Sequence, residues 1–157
     1  MKITARHTYD ADPATVYAML TDADWLAAVA QRSGAVRHEA DVDGDSTRLT
    51  VALPAPSQVQ RFTGDEFVVH VDQNWDKAAT DGGRSGDLQI SVEKMPATMT
   101  GTATLKPSGE RTVVDYDGDL EVRIPILGRK FEEAAAPYVK KVLDVQQTVG
   151  KSWLAKS

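Results

Sequence analysis

The chain contains no cysteine, and that absence removes disulfides, thiolate chemistry and cysteine-based zinc sites together. Its histidines, His7, His38 and His70, are scattered without metal-ligand spacing. A zinc centre would need the fold to gather all of them or to add carboxylates. Basic charge is not in excess either: 18 lysines and arginines stand against 23 aspartates and glutamates, for a net charge of -5. Nucleic acid is therefore not an expected partner, because phosphate binding needs a concentrated basic surface. Docking on anionic membrane surfaces is disfavoured for the same reason.

No apolar run approaches the roughly 18 residues that a membrane span requires. Residues 1–7 enter polar alternation directly, without the apolar core of a signal peptide. The expectation is a cytoplasmic protein with no membrane insertion. A G-x-S-x-G elbow is missing, and Gly82-Gly83-Arg84-Ser85-Gly86 lacks the lysine and following helix of a phosphate loop. Asp41-Val42-Asp43-Gly44-Asp45 begins like a calcium loop, but its glycine comes too early and Ala52 stands where a bidentate glutamate belongs. Asp115, Asp117, Asp119 and Glu121 recur at about 6.7 Å along one strand face, too far apart for one small ion. They read as a solvated face. The sequence thus implies no catalytic residue, no metal and no cofactor.

What is present is ordinary globular material: 157 residues, 41% hydrophobic and 26% charged, read as one domain over residues 1–157 with a core that needs no staples. The organising stretch is residues 125–157. Apolar side chains recur there at Phe131, Ala135, Tyr138, Val142, Val145, Val149 and Trp153, at spacings of four and three residues that place them on one helical stripe. A helix of that length needs a wide apolar partner, and only the strands upstream can supply one. Pro137 within it removes a backbone donor and predicts a kink near residues 133–136.

Upstream, Ile3, Ala5 and His7 alternate with polar residues in a first strand ending near Tyr9. Asp12-Pro13 is an N-cap acceptor followed by proline at the first helical position. Val16, Tyr17 and Leu20 mark the buried side of that short helix. A second helix starts from Thr21 as N-cap and carries Trp25, Leu26 and Val29. Val36, His38, Ala40 and Val42 then alternate up to Asp43-Gly44, and Leu49, Val51 and Leu53 alternate after it, a strong hairpin signal. Further period-2 runs contain Phe67 to Trp75, Leu88 to Val92, Met99 to Leu105 and Val114 to Ile124. The order is one strand, two short helices, about six strands and one long helix. The fold class is α+β, a curved antiparallel sheet of about seven strands around the C-terminal helix.

That order resembles the START-like, or SRPBCC, superfamily with its helix-grip fold, which includes polyketide cyclases and lipid-transfer domains. The segment Ala11-Asp12-Pro13-Ala14-Thr15-Val16-Tyr17-Ala18-Met19-Leu20-Thr21-Asp22 is similar to the superfamily's first-helix signature. Asn74-Trp75, Ile124-Pro125-Ile126-Leu127-Gly128 and Ser152-Trp153-Leu154 together resemble one bacterial branch that carries a domain-of-unknown-function label. The resemblance implies an apolar cavity between sheet and helix that holds a small hydrophobic ligand, such as a lipid, steroid or polyketide-like molecule. A fold of this kind hosts binders, carriers and enzymes alike.

The expected ligand contacts are the polar groups that interrupt the inward apolar pattern, namely His38, Gln73, Tyr116 and Tyr138, with Trp75 as an aromatic wall. The plainer alternative is that His38 pairs locally and the tyrosines turn their hydroxyls to solvent. Three readings stay open: a binder of a small hydrophobic or amphipathic molecule, a cyclase- or hydratase-type enzyme on a similar molecule, and an interaction module with a filled core. For the enzyme, an inward-facing His38 beside an acid would be the general base. The sequence assigns no oligomeric state.

Overall fold

The computed structural model describes residues 1–156. Strand β1 (Lys2–Tyr9) leads into helices α1 (Pro13–Leu20) and α2 (Ala23–Arg32). The remaining strands follow as β2 (Arg37–Asp43), β3 (Ser46–Pro54), β4 (Glu66–Trp75), β5 (Arg84–Val92), β6 (Ala97–Ser108) and β7 (Arg111–Val122). A one-turn helix α3 (Gln60–Thr63) separates β3 from β4, and α4 (Gly128–Ala155) closes the chain. The strands form one antiparallel sheet of seven in the order β1-β7-β6-β5-β4-β3-β2. The architecture is the helix-grip arrangement of a curved sheet around one long helix.

Local chemistry accounts for the boundaries of the first two helices and the first hairpin. The Asp12 carboxylate accepts a hydrogen bond from the Thr15 backbone N–H at 3.0 Å, and Pro13 takes the first helical turn, where its missing N–H costs nothing. The second cap differs from the sequence expectation. Thr21 closes α1 instead, its hydroxyl donating to the Tyr17 carbonyl at 2.9 Å. Asp22 caps α2, accepting from the N–H groups of Asp24 at 2.8 Å and Trp25 at 3.4 Å. With its hydroxyl committed to α1, Thr21 cannot serve the next helix, and the neighbouring carboxylate takes that role. The hairpin between β2 and β3 turns at Gly44, whose φ of +59° suits glycine.

The register carries one set of side chains onto the concave face of the sheet. Leu49, Val71, Ile90, Met99 and Leu120 stand opposite one another across β3 to β7. Gly101 and Gly118 face each other on the adjacent row. A Cβ added at Gly101 would collide with the Asp117 carbonyl oxygen, and one at Gly118 would press on the Met99 side chain. Glycine at this pair permits the sheet to bend inward here. On the opposite face, Asp115 meets Arg6 at 2.7 Å, and Lys2 lies 3.1 Å from Asp117 and 3.7 Å from Asp119. The three aspartates of the acidic strand face are therefore paired with β1 across the sheet.

Helix α4 has 28 residues, about 42 Å at the usual rise, and packs on α2, β1 and β7. Its buried centre is rotated from the predicted stripe. Phe131 is buried as expected, but the line Ala136, Leu143, Gly150 carries the deepest contact. Ala135, Val142, Val145, Val149 and Trp153 flank it, and Tyr138 is 51% exposed. The small residues Ala136 and Gly150 let the helix approach its partners closely, and hydrophobicity alone does not mark them. The helix continues through Pro137, which faces solvent. Ser157, the last residue of the predicted stretch, lies outside the described residues. No helix among the described residues is long and apolar enough to cross a membrane.

Candidate functional site

Between the concave face and α4 lies a cavity of about 190 Å³. Its floor is the aliphatic row of Leu49, Val71, Ile90, Met99 and Leu120, and its roof includes Leu143 of α4. The two ends differ. Toward Phe67, Val92, Val122 and Phe131 the walls are mostly apolar, with Gln58 and Thr98 also bordering the space, and a satellite cluster in which Phe62 meets Phe131 at 5.7 Å buttresses that end. Toward Gln73 and Tyr116 the walls carry hydrogen-bonding groups. This polarity follows from position along the strands, because Gln73 and Phe67 lie on one face of β4 about 20 Å apart.

The five side chains expected at a ligand site part company here. Gln73, Tyr116 and Tyr138 border the cavity. Tyr116 is 5% exposed and is held on one side by the His7 ring at 5.3 Å. Burial pushes its phenol well above the ordinary range, so it stays neutral and can donate a hydrogen bond. The Gln73 amide nitrogen Nε2 is buried and has no hydrogen-bond partner among the described residues. Half-exposed Tyr138 stands at the rim.

Trp75 and His38 lie elsewhere. Trp75 is buried below the polar end, edge-on to Tyr17 at 6.1 Å, and supports the wall without bordering the space. His38 is exposed on β2. Its register partner Val51 lines the cavity, so the alternation placed His38 on the concave side correctly. But β2 is the sheet edge, and of the run Val36, His38, Ala40 and Val42 only Ala40 packs on the core, while Val36 is 55% and Val42 38% exposed. Alternation assigns a face and not the depth beneath a covering helix.

Other residues went unmarked in the sequence. Gln146 joins the lining from α4, one turn beyond Leu143. The rotated helix phase brings it inward, and only the buried line through Leu143 would have identified it. His7 is buried, with its Nδ1 3.4 Å from the Tyr9 hydroxyl and its Nε2 unpartnered among the described residues. Desolvation lowers its pKa to about 4, with Lys151 adding to the effect and Asp144 opposing it. It sits behind Tyr116 and does not border the cavity. No aspartate, glutamate, lysine, arginine or histidine borders the cavity among the described residues, and no cluster of such groups there has the makings of a metal site. The arrangement can enclose apolar surface and offer hydrogen bonds at one end.

Solved structures share this fold. A Thermus thermophilus protein matches with a TM-score of 0.64 at 21% identity, covering 100% of this chain and 99% of that one. The STAR-related lipid transfer protein from Xanthomonas axonopodis matches with a TM-score of 0.64 at 17% identity, over 98% of this chain and 85% of that one. Norcoclaurine synthase from Thalictrum flavum, solved with dopamine and hydroxybenzaldehyde, matches with a TM-score of 0.60 at 11% identity, over 99% of this chain and 87% of that one. At such identities the likeness is one of fold. No curated protein matches the chain. The family model described as protein of unknown function (DUF2505) matches residues 4–154, and the chain belongs to that family.

Proposed function

We propose that the chain binds a small apolar or amphipathic molecule in the cavity between the sheet and α4. The observation that carries this reading is the cavity itself, about 190 Å³ of space walled almost entirely by aliphatic and aromatic side chains. An apolar cavity in an otherwise close-packed interior forgoes dispersion contacts that a ligand would restore. The lipid-transfer description of the Xanthomonas neighbour is in keeping with that reading.

Against a cyclase- or hydratase-type reaction stands the lack of a base bordering the space, since His38 is exposed and His7 lies behind Tyr116. Against a filled core stands the volume, which at roughly 10–15 Å³ per water-sized probe exceeds what a few waters occupy. The test is native mass spectrometry of the purified protein beside its denatured mass, followed by an NMR titration with ethylbenzene. An adduct lost on denaturation, or ethylbenzene shifts confined to residues such as Val71, Ile90 and Leu143, is the expected result. A clean mass together with no ethylbenzene shifts overturns the proposal.

A further inference from the structure

The cavity's chemistry narrows the ligand beyond "apolar", on the premise that the ligand-binding reading holds. Three observations bear on it. First, no ionisable acid or base other than the tyrosines Tyr116 and Tyr138 borders the space among the described residues, and Tyr116 is held neutral by its burial. A carboxylate, ammonium or phosphate placed there would lose its hydration with no counter-charge to replace it.

Second, the Gln73 Nε2 is a buried donor without a partner among the described residues. Its register neighbours on the concave face are Thr47 and Leu88, both buried. A buried amide N–H left without an acceptor is costly, so a ligand that brings an acceptor gains more than one that does not. Third, about 190 Å³ is only modestly larger than the cavity of about 150 Å³ that admits benzene. It falls short of the roughly 300–1,000 Å³ typical of sites for drug-sized ligands.

We propose that the cavity selects a compact uncharged molecule, of about one ring or a short branched chain, carrying a carbonyl oxygen that accepts a hydrogen bond from Gln73 Nε2. The apolar body of that molecule lies along Val71 and Ile90 toward Phe131. The polar end of the ligand is thus held at Gln73, and fused-ring steroids and diacyl lipids exceed the space.

The test compares acetophenone, ethylbenzene and benzoate, which share a ring and differ in the group it carries. Titration is followed by NMR, including the side-chain amide signal of Gln73, on the unaltered protein and on Gln73→Leu. Acetophenone is expected to bind about tenfold more tightly than ethylbenzene, in line with one hydrogen bond to an otherwise unsatisfied donor. It shifts the Gln73 amide signal, and benzoate gives no saturable shift.

In Gln73→Leu the preference for acetophenone falls to within about twofold. If that variant does not fold, Gln73→Met removes the same donor while keeping an unbranched side chain, and the same loss of preference is expected. Benzoate binding as tightly as acetophenone overturns the inference, and so does a preference that survives loss of the Gln73 donor. Ethylbenzene binding with no acetophenone preference sinks this inference alone, as does failure of both neutral probes beside a native-mass adduct, whereas failure of both probes together with a clean native mass sinks the ligand-binding reading with it.

Discussion

The guanidinium carbon of Arg84 lies 3.6 Å above the centre of the Tyr17 ring, and both side chains bond the same carboxylate, Asp45. One interaction therefore ties α1, the turn between β2 and β3, and the start of β5, three elements far apart in sequence. The Tyr17 phenol is pushed up to about 12, first by burial and then by its bond to Asp45, so it remains a donor across the physiological range. Its ring also meets Trp75, whose Cβ-free neighbour Gly86 leaves room for the indole.

Arg84→Ala removes the cation over the ring and one bond to Asp45 together. A loss of about 1–2 kcal/mol is expected, because the group is largely shielded from water and its partner is shared. For a domain of this size that corresponds to a fall in Tm of roughly 3–6 °C, measured by circular dichroism. Arg84→Lys recovers little of it, since an ammonium cannot stack flat on the phenol. Full recovery in the lysine variant would show that charge alone matters here.

Gly150 sits where α4 crosses β1. A Cβ at this position would lie 2.6 Å from the Tyr9 ring and 3.1 Å from the Met19 methyl. Alanine gains about 1 kcal/mol of helix propensity over glycine, but Tyr9 is fully buried and cannot swing aside. Overpacking wins, and Gly150→Ala is expected to destabilise by a net value of about 1–2 kcal/mol in urea denaturation. A stabilised variant would mean that the helix lies farther from β1 than the structure places it.

His7 makes stability depend on pH. Its folded pKa, about 4, lies below the usual value of 6.5 because burial disfavours the imidazolium. Between these values the unfolded chain binds more protons, so its contribution is complete above about pH 6.5 and is lost as pH falls toward 4. Asp12 and Glu132, whose carboxyl pKa values are lowered by hydrogen bonds from Thr15 and from the Val122 backbone N–H respectively, also lose stability in acid, but at lower pH. Comparison with His7→Phe isolates the histidine. The stability of the variant relative to the unaltered protein should rise by about 2–3 kcal/mol as pH drops from about 6.5 to about 4. A constant difference across that range would place the imidazole in contact with water.

The sequence alone carried the order of elements apart from the one-turn α3, the antiparallel strands and the grip of sheet on helix. Each of these rests on local physics: side-chain alternation with period two, proline after an acidic cap, and glycine at a turn that needs a positive φ. It also marked Gln73 and Tyr116 as polar breaks in apolar strands, because such a break is visible in the strand's own pattern. Tertiary structure decided how deep each position lies. His38 has the right face of its strand but stands at the sheet edge, where no helix covers it. Leu143 displaces Val142 from the centre of the helix contact because Ala136 and Gly150, small and ordinary in hydropathy, set the distance of approach. Trp75 is buried, yet it backs the cavity wall and does not border the space. Depth is a sum over contacts from distant parts of the chain, and no local period encodes that sum.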